Sequence, residues 1–174
     1  MARVARKPDD ARRAATVAEA RALAHPDRLR IIRLTYDQEL TNAELAARLG
    51  RDPASTLHHV RTLLDTGFLE ALPVRRGARG SRERPYRSTG KSWAMDTDGT
   101  GIDINTAMLG AFQAEIAVAP GEPDLARLAL SLSEEQLKEL SDRLDALLKE
   151  AATWEPVEDG KRVAVFLAIY EREP

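Results

Sequence analysis

Six arginines lie within thirteen residues near the middle of the chain, in the segment VRRGARGSRERPYR that begins at Val74. A guanidinium is a permanent cation whose N–H donors match the oxygens of a phosphate. Gly77 and Gly80 interrupt the run, and strand-like segments precede it (68–72) and follow it (84–89), as in a β-hairpin with a long loop. Composition alone leaves two interpretations open. The segment is either a solvated basic linker, or a loop held between two strands and directed at a polyanion.

Few other side chains suit catalysis or metal binding, because the chain has three histidines and no cysteine. His58 and His59 are adjacent, and adjacent side chains on a helix point about 100° apart. Thr62 and Leu63, rather than carboxylates, stand four residues after them. No glycine-rich phosphate loop or nucleophile motif is present. We therefore expect no enzyme, no cofactor and no metal site among these two histidines and His25.

Length and composition favour one or two small domains, since the 174 residues are 43% hydrophobic and 31% charged. The lack of cysteine fits a reducing cytoplasm. No apolar run approaches the ~18–20 residues of a membrane span, and the basic N-terminus lacks the apolar core of a secretory signal. We expect a cytoplasmic protein with no membrane partner.

The net charge of −2 conceals an asymmetry between the two halves of the chain. Residues 1–93 hold 19 Lys and Arg against 11 Asp and Glu, whereas residues 94–174 hold 7 against 17. A basic half beside an acidic half suggests that one part of the protein meets a polyanion and the other does not. Chance segregation of solvated charges is the alternative.

Helical patterns dominate the basic half. A helix is expected from about Ala15 to the His25-Pro26 step, and a second follows it. Thr41 and Glu44 have the spacing of a capping box, in which each side chain satisfies a backbone N–H at the other position. Gly50 closes this third helix. Asp52 and Pro53 then open a fourth helix, 53–66, in which Thr56, Val60 and Leu63 are spaced for one buried face.

Helices followed by a hairpin give the order of a winged helix-turn-helix domain, with 53–66 as recognition helix and 74–84 as wing. Such a helix fits the ~12 Å major groove of double-stranded DNA. We predict an α+β, mainly helical fold in three parts. These are a flexible arm (1–14), the winged domain (15–93) and a C-terminal dimerisation or effector region (94–174).

The run from Leu23 to Ala71 resembles the DNA-binding domain of ArsR-type winged-helix regulators, in LAHPDRLRI, in ELA, and in LHHV…L…GFL around the recognition helix. ERPYR, from Glu83, resembles the second wing strand of a subgroup with an added C-terminal domain. The resemblance covers about residues 15–93. Two features depart from it. Metal sensors of the family use cysteines, which are absent here, and Asp52-Pro53 replaces the serine–glutamine pair that often opens the recognition helix.

The predicted DNA contacts lie on the outward face of that helix and on the wing. Ser55 and His58 are expected to donate to base edges or phosphates, Ala54 and Leu57 to contact a thymine methyl, and Arg61 to meet phosphate. The full set of predicted contacts is Ala54, Ser55, Leu57, His58, Arg61, Thr62, Arg75, Arg76, Arg79, Arg82 and Arg84.

The acidic half is expected to contain a helix at 105–118, a strand at 126–132, a leucine-striped helix opened by a Ser133–Gln136 capping box, and an apolar strand at 163–170. The leucine stripe is either intrachain core or a dimer interface. The resemblance implies that helices flanking the winged domain, 15–24 and 105–118, build a homodimer. A further possibility is a small-molecule effector pocket lined by Trp93, Trp154 and Phe166.

These expectations point to a homodimeric, sequence-specific DNA-binding transcriptional regulator that represses by blocking promoters. The alternative is a winged-helix module that binds protein or RNA, since the same fold serves both roles. Exposure of the recognition helix separates the two, because an interaction module would cover that helix with its own chain.

Overall fold

The computed structural model describes residues 13–77, 80–155, 157 and 159–171. The predicted arm, 1–14, therefore lies almost wholly outside the described residues. The chain divides into two compact units, 9–123 and a second that contains 124–174. The six helices of the described residues are α1 (Val17–Leu23), α2 (Pro26–Leu34), α3 (Asn42–Leu49), α4 (Pro53–Asp65), α5 (Asn105–Ile116) and α6 (Glu134–Ala152).

Seven short strands accompany the helices in the described residues of the first unit. They are β1 (Arg13–Ala14), β2 (Leu40–Thr41), β3 (Leu69–Ala71), β4 (Arg75–Arg76), β5 (Arg82–Glu83), β6 (Pro85–Ser88) and β7 (Met95–Asp96). The central sheet has the order β2-β6-β3, and both pairings are antiparallel. β4 pairs with β5 to extend the hairpin, while β1 and β7 form a parallel pair. The winged helix-turn-helix fold and the α+β class are thus confirmed.

Local sequence explains where the helices of the winged unit begin and end. Thr41 and Glu44 form the predicted capping box of α3. Gly50 ends that helix with φ of 65°, a left-handed conformation that glycine adopts without a steric penalty. His25 precedes Pro26 as the N-cap of α2, and its side chain accepts a hydrogen bond from the backbone N–H of Asp27. Each helix therefore has its own start or stop signal.

The core of the first unit lies among α1–α4 and the central sheet. Ile31, Leu45, Val60 and Leu63 have no exposed surface, and Phe68, which immediately precedes β3, is 1% exposed. Helix α5 belongs to this unit and packs on α2. An ion pair of 2.6 Å between Arg33 Nε and Glu115 Oε2 joins the two helices. Burial raises the pKa of Glu115, which the Arg33 charge opposes.

In the second unit, α6 forms with the predicted Ser133–Gln136 capping box. The strands expected at 126–132 and 163–170 do not form, and both segments lie without ladder pairing. Leu128 is 79% exposed and Val163 is 78% exposed. The physical reason is that an apolar, β-prone segment becomes a strand only when a neighbouring backbone pairs with it. The expected strand–helix–strand order is therefore corrected to one helix between two segments that have no regular secondary structure. The division of the chain at residue 94 stays a prediction.

Candidate nucleic-acid interface

Helix α4 is held at its N-terminus by the residues of the turn before it. Asp52 Oδ1 accepts hydrogen bonds from the backbone N–H groups of Ala54 (2.8 Å) and Ser55 (3.2 Å). The Asn42 side-chain amide donates to the Pro53 carbonyl at 2.9 Å and so ties the start of α3 to the start of α4. Since Asp52 occupies the free N–H groups with a carboxylate, the end of this helix is not available to a phosphate.

The buried face of α4 agrees with the face predicted from the sequence. Thr56, Val60 and Leu63 are all 0% exposed. The buried Thr56 hydroxyl donates a hydrogen bond to the Asp52 carbonyl at 3.0 Å, so it has a hydrogen-bond partner inside the fold. Packing on this face fixes the rotation of the helix and turns its opposite side outward.

The outward face presents the six residues predicted on α4. Four are exposed, namely Ala54, Ser55, His58 and Arg61, while Leu57 and Thr62 are half-buried. The Thr62 hydroxyl donates to the His58 carbonyl at 3.1 Å. This local bond occupies the hydroxyl proton but leaves its lone pairs available. The face therefore offers two polar groups and a cation beside small apolar surfaces, which is the mixture that base edges and phosphates require.

The adjacent histidines of α4 have opposite environments. His58 is exposed, whereas His59 is 9% exposed and packs against His25, with 4.3 Å between the ring centroids and 46° between the ring planes. Burial, with a smaller contribution from the nearby Arg28 charge, lowers the pKa values of both His25 and His59. His58 is thus the histidine of this pair that faces solvent, whereas His59 joins α4 to His25, the N-cap of α2.

The turn that precedes α4 is anchored to α2 by an ion cluster that sequence analysis missed. Arg51 Nε donates to Asp27 Oδ2 at 3.0 Å, and Arg30 Nη1 lies 3.5 Å from Asp27 Oδ1. Asp27 is buried, whereas the Arg51 side chain is 57% exposed. Asp27 and Arg51 are 24 positions apart in the sequence, so no local sequence pattern predicts that they form a pair. Arg51 adds an exposed cation next to the recognition helix.

The wing is a β-hairpin, as predicted, in which β4 pairs with β5. Arg75, Arg76, Arg82 and Arg84 are exposed, and Arg79 lies outside the described residues. Arg75 Nη2 lies 3.8 Å from Glu44 Oε2, so the first strand of the wing tip reaches the N-terminal turn of α3. Both side chains are nearly half exposed, and such a pair contributes little to stability.

The return strand holds one of the two arginines expected there. Arg87, within β6, donates to Glu70 on β3 at 3.1 Å and lies 3.8 Å from Glu39. Arg84 stands just before β6, which begins at Pro85. Arg87 therefore serves the sheet, while Arg84 remains on the surface with the wing tip.

A second charge cluster, centred on the buried Glu19, fixes the far end of the recognition helix. Lys91 Nζ donates to the Thr66 carbonyl at the C-terminus of α4 (2.6 Å), lies 2.5 Å from Glu19 Oε1 on α1, and stands 5.0 Å from the centre of the Phe68 ring. Arg13 on β1 also pairs with Glu19, at 2.8 Å. The Arg13 and Lys91 cations hold the pKa of the Glu19 carboxyl well below its usual range. This cluster joins α1, the end of α4 and the segment after the wing.

Beyond the interface, Trp93 is 43% exposed and Trp154 is 65% exposed, so neither is enclosed as a pocket-lining side chain would be. Among the described residues, none of the helices combines the length and apolar character needed to cross a membrane.

Comparison with known proteins finds a match in the helix-turn-helix part of the chain. Residues 23–70 match a family model described as a helix-turn-helix domain, and this range runs from the end of α1 into β3. No curated protein sequence matches the chain significantly.

Three solved structures are similar to parts of this chain. Reduced HlyU from Vibrio cholerae N16961 is 27% identical, with 45% of this chain and 79% of that chain covered and a TM-score of 0.36. A variant of ZitR from Lactococcus lactis is 19% identical, with 72% and 73% covered and a TM-score of 0.33. The transcriptional regulator SlyA is 15% identical, with 72% and 74% covered and a TM-score of 0.32. The helix-turn-helix segment, 23–70, is the part of the chain that a family model matches.

Proposed function

We propose that this protein is a homodimeric DNA-binding transcriptional regulator, a repressor that blocks promoters, with the ArsR-type winged-helix regulators as its family. The observation that carries the proposal is the exposure of the outward face of α4, while Thr56, Val60 and Leu63 on its other face are completely buried. A helix whose outward face the described residues of its own unit leave uncovered, next to an arginine-rich hairpin, suits the major groove of double-stranded DNA. An interaction module that covers its recognition helix would bury these side chains.

The roles on α4 follow from chemistry and position. Ser55 and His58 donate to base edges, and Ala54 and Leu57 contact a thymine methyl. Arg61 lies about two turns into the helix and binds phosphate. Because Asp52 places a negative charge at the start of α4 and occupies the backbone N–H groups of Ala54 and Ser55, the bases are read by side chains and not by the backbone of the first turn.

The wing binds the phosphate backbone and not the bases. Its described arginines are exposed, and Arg76 pairs with Arg82 across the hairpin. Each phosphate that such a cation binds releases a condensed counterion. The proposed contacts are Arg75, Arg76, Arg79, Arg82 and Arg84. Such contacts position the domain on DNA without selecting a sequence.

Dimerisation through α1 and α5 would present two recognition helices to successive major grooves, ~34 Å apart. Both helices expose apolar side chains in the single chain: Val17 is 45% exposed, Met108 38% and Leu109 47%. The opposite side of α5 is already occupied, because its Gly110 lies against Pro26 of α2. The second unit adds to the dimer or receives a small-molecule effector.

The test is selection of bound fragments from the source organism's DNA by the purified full chain, followed by substitution of α4. Ser55→Ala and His58→Gln should change the preferred base at one position, by ~1–3 kcal/mol. Arg127→Gln, which removes an exposed arginine from the second unit, is the matched control and should leave preference unchanged. Enrichment of no DNA fragment, or enrichment of RNA instead, would refute the proposal.

A further inference from the structure

The fold brings together three potential metal ligands that lie apart in the sequence. One ligand atom each from His25, Asp27 and His59 falls within 4.8 Å of the other two. His25 and Asp27 stand at the N-terminus of α2, while His59 is on the inward side of α4. The expectation of no metal site considered only spacing along one helix, which cannot show a juxtaposition of two helices.

His59 supplies an independent reason to consider a ligand here. Its side chain is more than nine-tenths buried, and its Nδ1 atom is buried with no hydrogen-bond partner among the described residues. A buried polar nitrogen without a partner is costly, and polar groups of this kind are nearly always satisfied in native proteins. A metal ion would satisfy it through the nitrogen lone pair.

We propose that His25, Asp27 and His59 bind one first-row transition-metal dication, such as Zn²⁺, between α2 and the recognition helix. Two imidazoles and one carboxylate are a ligand set that such ions accept. Ligand atoms on a common tetrahedral ion, each ~2.0–2.2 Å from it, stand roughly 3.3 Å apart. The ligand atoms of the three side chains, now within 4.8 Å of one another, must therefore approach one another to bind a single ion. The fourth position is left for solvent, because His25 is only half-buried.

Two existing interactions compete with the ion. His25 Nδ1 accepts a hydrogen bond of 3.2 Å from the Asp27 backbone N–H, and an ion bound through this nitrogen replaces that bond. Asp27 Oδ2 accepts from Arg51 at 3.0 Å, whereas Arg30 is the more distant partner at 3.5 Å. Since the Arg51 side chain is 57% exposed, it can leave Asp27 for solvent when the ion arrives.

The surrounding charge determines how the site should respond to substitution. Arg28, Arg30 and Arg51 are the nearby cations, and all three repel a dication. Arg28 is held in place, since its guanidinium donates to the Ala22 and Arg21 carbonyls. Removing the Arg51 charge should consequently strengthen metal binding, because it eliminates both repulsion and competition for Asp27. A structural role of Arg51 alone would not produce this gain.

The experiment uses the full chain after treatment with a chelator and measures Co²⁺ absorption in the visible range, followed by competition with Zn²⁺. We expect saturation at one ion per chain. His59→Gln should weaken binding by at least the roughly 10–100-fold that removal of even an outer partner costs. His58→Gln, the neighbouring exposed histidine, is the matched control and should leave affinity unchanged. Arg51→Gln should bind the ion more tightly than the unmodified chain.

Absence of saturable binding by the unmodified chain would overturn the inference, whether or not any variant folds. Equal weakening in His58→Gln and His59→Gln would overturn it too, as this would indicate adventitious surface binding. Unchanged or weaker binding by Arg51→Gln would remove Asp27 from the site and overturn the three-residue assignment. The inference does not depend on DNA binding, so its failure would leave the proposed function intact.

Discussion

The two units of the chain differ in what covers their apolar side chains. In the winged unit, Ile31, Val60 and Leu63 are fully buried by neighbouring elements of the same chain. In the second unit, Leu128 and Val163 remain more than three-quarters exposed. Both units have apolar residues at periodic spacing and well-capped helices, so periodicity and capping do not by themselves produce a core. A periodic hydrophobic pattern indicates that one face of an element is apolar. Only the tertiary structure shows whether other parts of the chain bury that face.

Within the proposed homodimer, the second unit is the part of the chain whose exposed apolar residues a second copy would cover. Its exposed apolar residues lie in the acidic half of the sequence, which disfavours DNA as the partner. Large exposed apolar surfaces mark interaction sites in soluble proteins. A second copy of the chain fits the two-fold arrangement in which helix-turn-helix proteins read DNA.

The largest expected effect comes from the core of the winged unit. Leu63→Ala should lower the free energy of unfolding by about 2–5 kcal/mol, because the fully buried side chain leaves a cavity. Denaturant unfolding followed by circular dichroism measures the change. Leu128→Ala is the matched substitution in the second unit and should alter that free energy by less than about 0.5 kcal/mol. Equal destabilisation by the two substitutions would erase the contrast between the units.

Much of the winged unit could be predicted from local sequence. The Thr41–Glu44 capping box, the stop at Gly50 and the buried stripe of α4 are each encoded within a few residues, and each is confirmed. The prediction of strands at 126–132 and 163–170 was wrong because a strand is not determined by local sequence alone. A strand depends on a partner backbone, and the sequence of the segment does not specify whether one is within reach.

The Glu19 cluster should give the next largest effect. Glu19→Gln removes the charge that pairs with Arg13 and Lys91, and should cost about 1–3 kcal/mol of unfolding free energy near pH 7. Because the folded state lowers the pKa of Glu19 from its ordinary value of 4.5, this stability is present above that value and is lost as pH falls below it. The difference between the two unfolding free energies should therefore be constant above about pH 5 and should shrink as the pH falls from 4.5 to 3. A constant difference over that range would show that the charge is not the cause.

Ion clusters of this kind explain why part of the site could not be predicted. Lys91 and Glu19 lie 72 positions apart, and Arg51 and Asp27 lie 24 apart. Their roles in fixing the two ends of α4 follow only from the tertiary fold. The exposed face of α4 was predictable, in contrast, because its period is local. The residues Ala54, Ser55, His58 and Arg61 lie outward as expected, while their contacts with DNA stay predictions.

Helix capping should have a smaller effect that also differs between the units. Asp52→Ala removes two hydrogen bonds at the start of α4 and should cost about 0.5–2 kcal/mol in the main unfolding transition. Ser133→Ala removes the equivalent cap of α6 and should reduce helicity without moving that transition. Thermal unfolding of both variants at equal protein concentration measures the two effects. An equal shift of the main transition by both variants would contradict the expected difference between the units.

The smallest effect on folding is expected at the exposed apolar segment of the second unit. Val165 is 69% exposed, so Val165→Asp should change the free energy of unfolding of the isolated chain by no more than about 0.5 kcal/mol. It should nevertheless weaken self-association, because it places a charge on an acidic surface that meets its own copy. Sedimentation over a concentration series measures this. Self-association equal to that of the unmodified chain would exclude the segment from the dimer.

The central claim, that the winged unit binds DNA through α4 and its arginine wing, is tested most directly by affinity for an enriched fragment across a salt series. We expect log K to fall linearly with log salt, with a slope of about −0.9 for each phosphate that the protein binds. Replacing Arg75, Arg76 and Arg82 together by glutamine should weaken binding to all sequences alike and should flatten the slope by about one for each arginine that no longer binds a phosphate. A salt-independent affinity, or a slope unchanged by the triple substitution, would contradict the account.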